Sequence, residues 1–314
     1  MLRIFPQTAE RCSKALWVDL LNPTPDESRK VAHELGVEIP FRPQLEEIES
    51  SSRLQVDGDS LRMSMPVSAH GEDARSSPLG FVFTQEVLVT LRFSELRSFD
   101  DTYAALGKNG AQASSSTIFA TLAEGMVDFA ADTLEKIASD MNEVSHATFR
   151  HYGEKRIRNV ARLNRRLKES LIMLGGAGER LSQIRESLLS LQRIVTFATD
   201  KGGPWISSDV QARLKTASQD LQSLADFEIH LSNKVQFLLD AVLGFINTEQ
   251  NDIFKVLTIV SVVGIPPTLI ASMYGMNFVN TPEYHWHYGY AWGLFVIALS
   301  TVVPIIWFKW RGWW

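Results

Sequence analysis

The sequence predicts an α+β membrane protein with an N-terminal α/β domain, a long helical stalk and two C-terminal transmembrane helices. Three observations predict it. Charge nearly vanishes near the C-terminus: of 36 Asp and Glu residues only Glu283 lies beyond residue 253, and of 31 Lys and Arg residues only Lys255, Lys309 and Arg311 do. A seven-residue repeat of apolar positions precedes that region. Short β-prone runs separated by turn residues fill the first hundred or so residues.

The chain up to residue 253 carries 28 basic against 35 acidic residues, net −7, and the remainder carries 3 against 1, net +2. Two solvents are implied, water for the first part and lipid for the second. An acidic balance without a basic tail excludes nucleic acid as a partner. The single cysteine, Cys12, cannot form an internal disulfide or a thiolate cluster, so nothing points to an oxidising compartment. At the N-terminus, Met1-Leu2-Arg3-Ile4-Phe5-Pro6 meets polar residues before an apolar core of signal length develops.

Ile253 to Tyr274 contains one charge, Lys255, and Tyr288 to Phe308 contains none. Each stretch has the roughly 20 residues needed to cross about 30 Å of hydrocarbon as helix, which counts against a hairpin buried in a soluble core. Six of the eight tryptophans fall from Trp286 onward, mostly at the ends of the second stretch, as interface anchors do. Lys255 precedes the first span, Lys309 and Arg311 follow the second, and the loop between holds no Lys or Arg. By the positive-inside rule both termini are cytoplasmic and the loop faces outward, with the lipid bilayer as a partner.

Along the first span Asn251, Thr258, Ser261, Ile265, Thr268, Ser272 and Gly275 share one helical stripe. Small and polar residues in a membrane either pack against another helix or line water, and the residues alone leave both open. Pro266-Pro267 removes amide donors in mid-span, tolerable where protein or water faces the freed carbonyls.

Upstream, Val210, Leu214, Ala217, Leu221, Leu224, Leu231, Val235, Leu238, Val242 and Phe245 form a heptad seam broken at Glu228. With no proline from Ile206 to Ile265, a helix of about 100 Å is expected to run unbroken into the first span. A second seam occupies Leu167, Leu171, Leu174, Leu181, Leu188, Leu191 and Val195, after a helical stretch from Ile118 to Phe149. Asp200-Lys201-Gly202-Gly203-Pro204 stops it, so antiparallel helices follow. Lys155, Arg156, Arg158, Arg162, Arg165, Arg166 and Lys168 could meet anionic lipid, but interspersed with that seam they read as a solvated helix face.

In the N-terminal part Leu16 to Leu20 is strand-like, and Asn22-Pro23-Thr24-Pro25-Asp26-Glu27 starts a helix from Ser28 to Leu35. Leu54 to Val56 with Leu61 to Val67, and Phe81 to Phe83 with Val87 to Phe93, read as hairpins. The expected organisation is 1–106 α/β domain, 107–204 linker and antiparallel helices, 205–252 stalk, 253–274 first span, 275–287 outer loop, 288–309 second span and 310–314 cytoplasmic end. No phosphate-binding glycine loop, His-Glu-x-x-His or nucleophile motif occurs, so neither catalysis nor an organic cofactor is expected. His285 and His287, lacking a third ligand, do not make a metal site by themselves.

Tyr274-Gly275-Met276-Asn277-Phe278, then Pro282-Glu283 and Gly289-Tyr290 ahead of a second span with a short basic-aromatic end, resembles the CorA family of magnesium and cobalt channels. Trp17-Val18-Asp19-Leu20, Pro23-Thr24 and the run from Glu46 to Arg53 extend the resemblance upstream. It implies a homopentamer in a bacterial-type inner membrane, a cytoplasmic αβα domain, a funnel of stalk helices and a central pore lined by the first span. Pore positions carried over by distance from the Gly275-Met276-Asn277 motif are Asn251, Leu257, Ile265, Thr268, Ser272, Gly275 and Asn277, most of them on the polar stripe with Ser261. The implied cargo is hydrated Mg2+, with Co2+ and Ni2+. The family also implies regulatory Mg2+ at Asp240, with Asp100 or Asp101 as the partner carboxylate. Thr281 stands where the family usually has methionine, and Glu283 is the loop's one acid, so its attraction for cations is weak. A zinc transporter of the same superfamily, or a non-conducting membrane-anchored scaffold, are the competing expectations.

Overall fold

The computed structural model describes residues 1–6, 12–47, 49–68, 76–109, 113–153, 160–276 and 285–313. In chain order the elements are β1 (Leu2–Phe5), a 3-10 turn at Cys12–Lys14, β2 (Trp17–Leu21), α1 (Pro25–Leu35), α2 (Arg42–Leu45), α3 (Ser50–Arg53), β3 (Leu54–Asp57), β4 (Ser60–Ser68), β5 (Ser76–Phe83), β6 (Leu88–Arg92) and α4 (Arg97–Asn109). The long helices α5 (Ser115–Gly153), α6 (Val160–Lys201) and α7 (Ser208–Tyr274) follow, and α8 (Gly289–Trp310) ends the chain. Contacts divide it into two units, Met1–Leu239 and Asp240–Trp314, with α7 contributing to both.

The first unit is built on a six-stranded sheet of order β1-β2-β6-β5-β4-β3. All neighbours are antiparallel except β2 and β6, which run parallel. The two hairpins expected from sequence are present, and the structure adds β1 and the β4–β5 pairing. Side chains alternate across each strand, so the sheet offers two faces. Val18, Leu20, Val82, Val89 and Leu91 point to one, where α1 and α2 add Val31 and Leu45. Trp17, Phe81 and Phe83 point to the other, against Phe99 of α4 and Phe119 of α5. Helices therefore cover both faces, the layering the resemblance implied.

Local chemistry fixes the elements. Thr24 and Glu27 form a reciprocal capping box at the start of α1, and Gly36 closes it at φ 68°, a left-handed conformation open to glycine. The segment read as a linker from residue 107 is helical at both ends: α4 continues to Asn109 and α5 begins at Ser115. Composition misled there, because α4 holds its place by burying Phe99 and Thr102 rather than by helix propensity.

Two buried charges stand out. Asp19 accepts three hydrogen bonds from Arg92, two from Nε at 3.1 Å and one from Nη2 at 2.8 Å, and a fourth from Thr90. Thr90 in turn accepts from the Trp17 indole at 3.0 Å. Among the described residues Arg92 Nη1 has no hydrogen-bond partner, and its guanidinium lies over the Phe99 ring. Glu228 is 1% exposed in the α7 seam, flanked along the helix by buried Leu221 and Leu231. One of its oxygens accepts from Ser232 at 2.6 Å, and the other has no hydrogen-bond partner among the described residues and lies 3.6 Å from half-exposed Arg185 of α6.

The two sites respond oppositely to substitution. Asp19→Ala strands a buried guanidinium and is expected to destabilise the first unit by about 3 kcal/mol, whereas Glu228→Leu completes the seam and stabilises by about 1 kcal/mol, since Arg185 can turn to water. Thermal unfolding of the full chain in detergent should show one transition fall and the other rise.

Candidate functional site

In the second unit α7 meets α8 at Tyr274 and Gly293. Among the described residues two helices, α7 and α8, are long and apolar enough to span a membrane. Within the span of α7, Ile259, Val263, Pro266, Pro267, Ile270 and Tyr274 are half-buried, and so is Ser261. Near the end of the span Gly293 of α8 meets the Tyr274 ring, where an added Cβ would sit 3.9 Å from the ring carbons. Small residues at such a crossing let the helices approach closely.

The polar stripe lies elsewhere on α7. Asn251, Leu257, Thr258, Ile265, Thr268 and Ser272 are exposed and Ser261 is half-exposed. Leu257 and Ile265 are 59% and 63% exposed, high for large apolar side chains. Apart from Ser261, these stripe positions are left uncovered within the chain. The stripe's hydroxyls are not free donors: Thr258 donates to the Phe254 carbonyl at 2.8 Å and Thr268 to the Gly264 carbonyl at 2.7 Å. Each threonine consequently presents acceptor lone pairs outward.

The helix closes at its C-terminal end with the Gly275 amide donating to Ala271 and Ser272 carbonyls, and the Met276 amide to Met273. Asn277 and Glu283 lie within residues 277–284, outside the described residues. His285 and His287 are exposed, and the His287 ring stands edge-on to Tyr288. Aromatic clusters mark both ends of α8: Trp286 with Trp292 at its start, and Phe308 between Trp307 and Trp313 at its end, where Arg311 lies over Trp307.

The acidic candidates fall in different units, Asp240 in the second and Asp100 and Asp101 in the first. All three are exposed. Asp100 accepts a hydrogen bond from Arg3 and lies 3.6 Å from Arg92, so two guanidiniums already face it. Asp101 pairs with Arg97 one turn away at 3.5 Å. Among the described residues no cluster of three or more His, Cys, Asp or Glu side chains could hold a metal ion. Sequence reasoning missed the Arg3 contact to Asp100, which joins residues 97 apart in the chain, and the Arg92 contact, which depends on how α4 packs on the sheet.

A helix-covered sheet ahead of two helices apolar and long enough to cross a bilayer is the build of a membrane protein. The chain matches the family model described as CorA-like Mg2+ transporter protein over residues 13–310, and it belongs to that family. It is 33% identical over 318 residues to the magnesium transport protein CorA of Salmonella typhimurium, covering 100% of this chain and 96% of that one. It is 32% identical over 317 residues to the Escherichia coli K12 protein of the same name, again covering 100% and 96%. Its structure is similar to the complete CorA magnesium transporter of Methanocaldococcus jannaschii, with a TM-score of 0.75 at 17% identity over 95% of this chain and 91% of that one. The full-length CmaX protein is similar at 0.67, with 15% identity over 95% and 88%. At such identities the structures speak for the fold alone.

The Gly293 contact gives a check on the helix pair. Gly293→Ala fits the 3.9 Å gap, whereas Gly293→Leu cannot without parting α7 from α8. Thermal melting in detergent should leave the first variant near the parent and bring the second down by at least about 1 kcal/mol in stability.

Proposed function

We propose that the chain conducts Mg2+, and also Co2+ and Ni2+, into the cell as a homopentamer in a bacterial inner membrane, with both termini cytoplasmic. The observation that carries this proposal is the α7 stripe left uncovered within the chain except at Ser261, in a chain of the CorA-like family. Five copies arranged with that stripe inward would line a pore with Asn251, Ser261, Thr268 and Ser272.

Mg2+ gives up its waters reluctantly and prefers near-octahedral oxygen ligation. A hydrated ion turns water hydrogens outward, so a wall that holds it must accept hydrogen bonds. Amide oxygens of Asn277 and Asn251 do so, as do threonine oxygens whose hydrogens are spent on their own helix. In this proposal Gly275 and Met276 end the helix so that Asn277 forms the ring at the mouth. A carboxylate ring there would hold a divalent ion too tightly to release it. Leu257 and Ile265 form apolar rings that close the path by dewetting. Entry down about 100 mV is favoured by about 4.6 kcal/mol for a double charge, so no nucleotide site is required.

Cytosolic Mg2+ is proposed to close the channel by bridging Asp240 of one subunit to the α/β domain of the next. On the partner side Asp101 suits a cation better than Asp100, which two guanidiniums already neutralise in part. Bound Mg2+ offsets repulsion between facing carboxylates, and its loss loosens the ring.

Uptake of Mg2+, Co2+, Ni2+ and Zn2+ into dye-loaded liposomes tests conduction. Asn277→Ala is expected to lower Mg2+ influx by at least about tenfold, an interaction of about 1.4 kcal/mol or more. A silent Asn277→Ala would point to a non-conducting scaffold, and Zn2+ uptake with Mg2+ excluded would point to a zinc transporter. Asp101→Ala and Asp240→Ala should each leave influx open at internal Mg2+ concentrations that close the parent. Unchanged closure in both would remove the sensor assignment.

A further inference from the structure

The C-terminal end of α8 carries a construction that conduction does not use. At Gly312 the backbone turns left-handed, φ 70°, a conformation glycine adopts without strain. The turn lets the Gly312 amide donate to the Lys309 carbonyl at 3.2 Å and the Trp313 amide to the Phe308 carbonyl at 3.1 Å. Just before it, the Arg311 amide donates to the Trp307 carbonyl at 3.0 Å. The Trp313 ring is thereby folded back onto Phe308, with centroids 5.4 Å apart. Phe308 meets Trp307 on its other side at 5.1 Å and is buried in this otherwise exposed end of the helix.

The cations at this end have no counterion of their own. Lys309 and Arg311 are exposed and form no ion pair among the described residues, whereas Lys255 at the start of the other span is paired with Asp252 at 2.9 Å. The Arg311 guanidinium lies over the Trp307 ring, 5.5 Å from its centre. Stacking engages the face of a guanidinium and leaves its N–H edges for an acceptor in the same plane. The carbonyls of Trp307, Phe308 and Lys309 carry the negative end of the helix dipole, which would repel an anion, but each already accepts from an amide of this turn. Trp310, between the two cations, is 85% exposed.

We propose that this end of α8 is a binding site for an anionic phospholipid, with Arg311 and Lys309 on the phosphate oxygens and the rings of Trp307, Phe308 and Trp313 against the glycerol and upper acyl chains. The helix has the length and apolarity to cross the hydrocarbon, so its end lies among headgroups. Guanidinium and phosphate join through paired N–H bonds, and two cations without acids beside them complement a net negative headgroup. A zwitterionic headgroup brings its own ammonium and gains less from the same two charges. The folded-back turn holds the rings and the stacked guanidinium in place before lipid arrives, so little ordering remains to be done on binding. The proposal rests on α8 as a membrane span and not on conduction, so either can fail without the other.

Native mass spectrometry of the full chain in detergent counts retained lipid directly. In separate titrations, dioleoylphosphatidylglycerol is expected to bind about tenfold more tightly than dioleoylphosphatidylcholine. The double variant Lys309→Gln and Arg311→Gln should bring the two lipids level. Gly312→Val keeps both charges but disfavours the left-handed turn, and is expected to lose most of the preference. Arg311→Lys keeps the charge and the turn but gives up the planar stack, and should lose part of it. Equal affinity of the parent chain for both lipids overturns the proposal, as does a preference that survives the double variant. A preference kept whole by both Gly312→Val and Arg311→Lys overturns the built site and leaves only loose charge attraction. Excess inorganic phosphate that displaces the phosphatidylglycerol assigns the site to a free anion and overturns the lipid assignment.

Discussion

A peptide group in hydrocarbon finds no water, so its hydrogen-bond partner must come from the chain itself. That constraint, together with the seam below it, accounts for α7 as one helix from Ser208 to Tyr274. In the aqueous part Val210, Leu214, Ala217, Leu221, Leu231, Val235 and Leu238 are buried and hold the helix by packing. In the apolar part no packing is required for helicity, because breaking the ladder would expose amides to lipid. Even Pro266 and Pro267 stay within the helix. The carbonyls they leave without amide donors, those of Val262 and Val263, ask for a polar neighbour.

The buried charges obey a different rule. Asp19 and Arg92 sit on adjacent parallel strands and join through both carboxylate oxygens, Nε and Nη2, at a place where either alone would be costly. Their pair also reaches Asp100 at the head of α4, so strand and helix are tied through one guanidinium. Glu228 has no such match. Its second oxygen lies in the seam beside a half-exposed arginine, a weaker arrangement that trades stability for a polar mark in an otherwise apolar interface.

Local and periodic signals were legible. The seam from Val210 to Leu238, the helix start between Asn22 and Glu27, both hairpins and both spans follow from neighbours close in sequence. Long-range pairing was not. β1 is four residues long with no turn leading into it, and β2 meets β6 across some seventy residues, a parallel pairing that hairpin logic cannot suggest. Gly107, Lys108 and Asn109 look like linker by composition yet finish a helix whose earlier turns are buried. The stripe on α7 was legible by spacing, but its exposure depended on which face α8 takes. The contact of Tyr274 with Gly293 marks one point of that face.

That exposure bears on what must cover the stripe. Leu257 and Ile265 could face lipid without loss, but Asn251, Ser261 and Ser272 could not do so without leaving polar atoms in hydrocarbon. Close packing against a neighbouring helix would satisfy them by interhelical hydrogen bonds, and it would favour donors and acceptors in equal number. The threonines break that balance, because Thr258 and Thr268 have already given their protons to Phe254 and Gly264. What remains is a surface biased toward acceptors. Such a surface suits a column of water around a cation, whose hydrogens point outward, better than it suits a second helix with the same bias. On the proposal made above, the same internal hydrogen bonds that keep the helix intact in lipid also set the polarity of the wall an ion would pass.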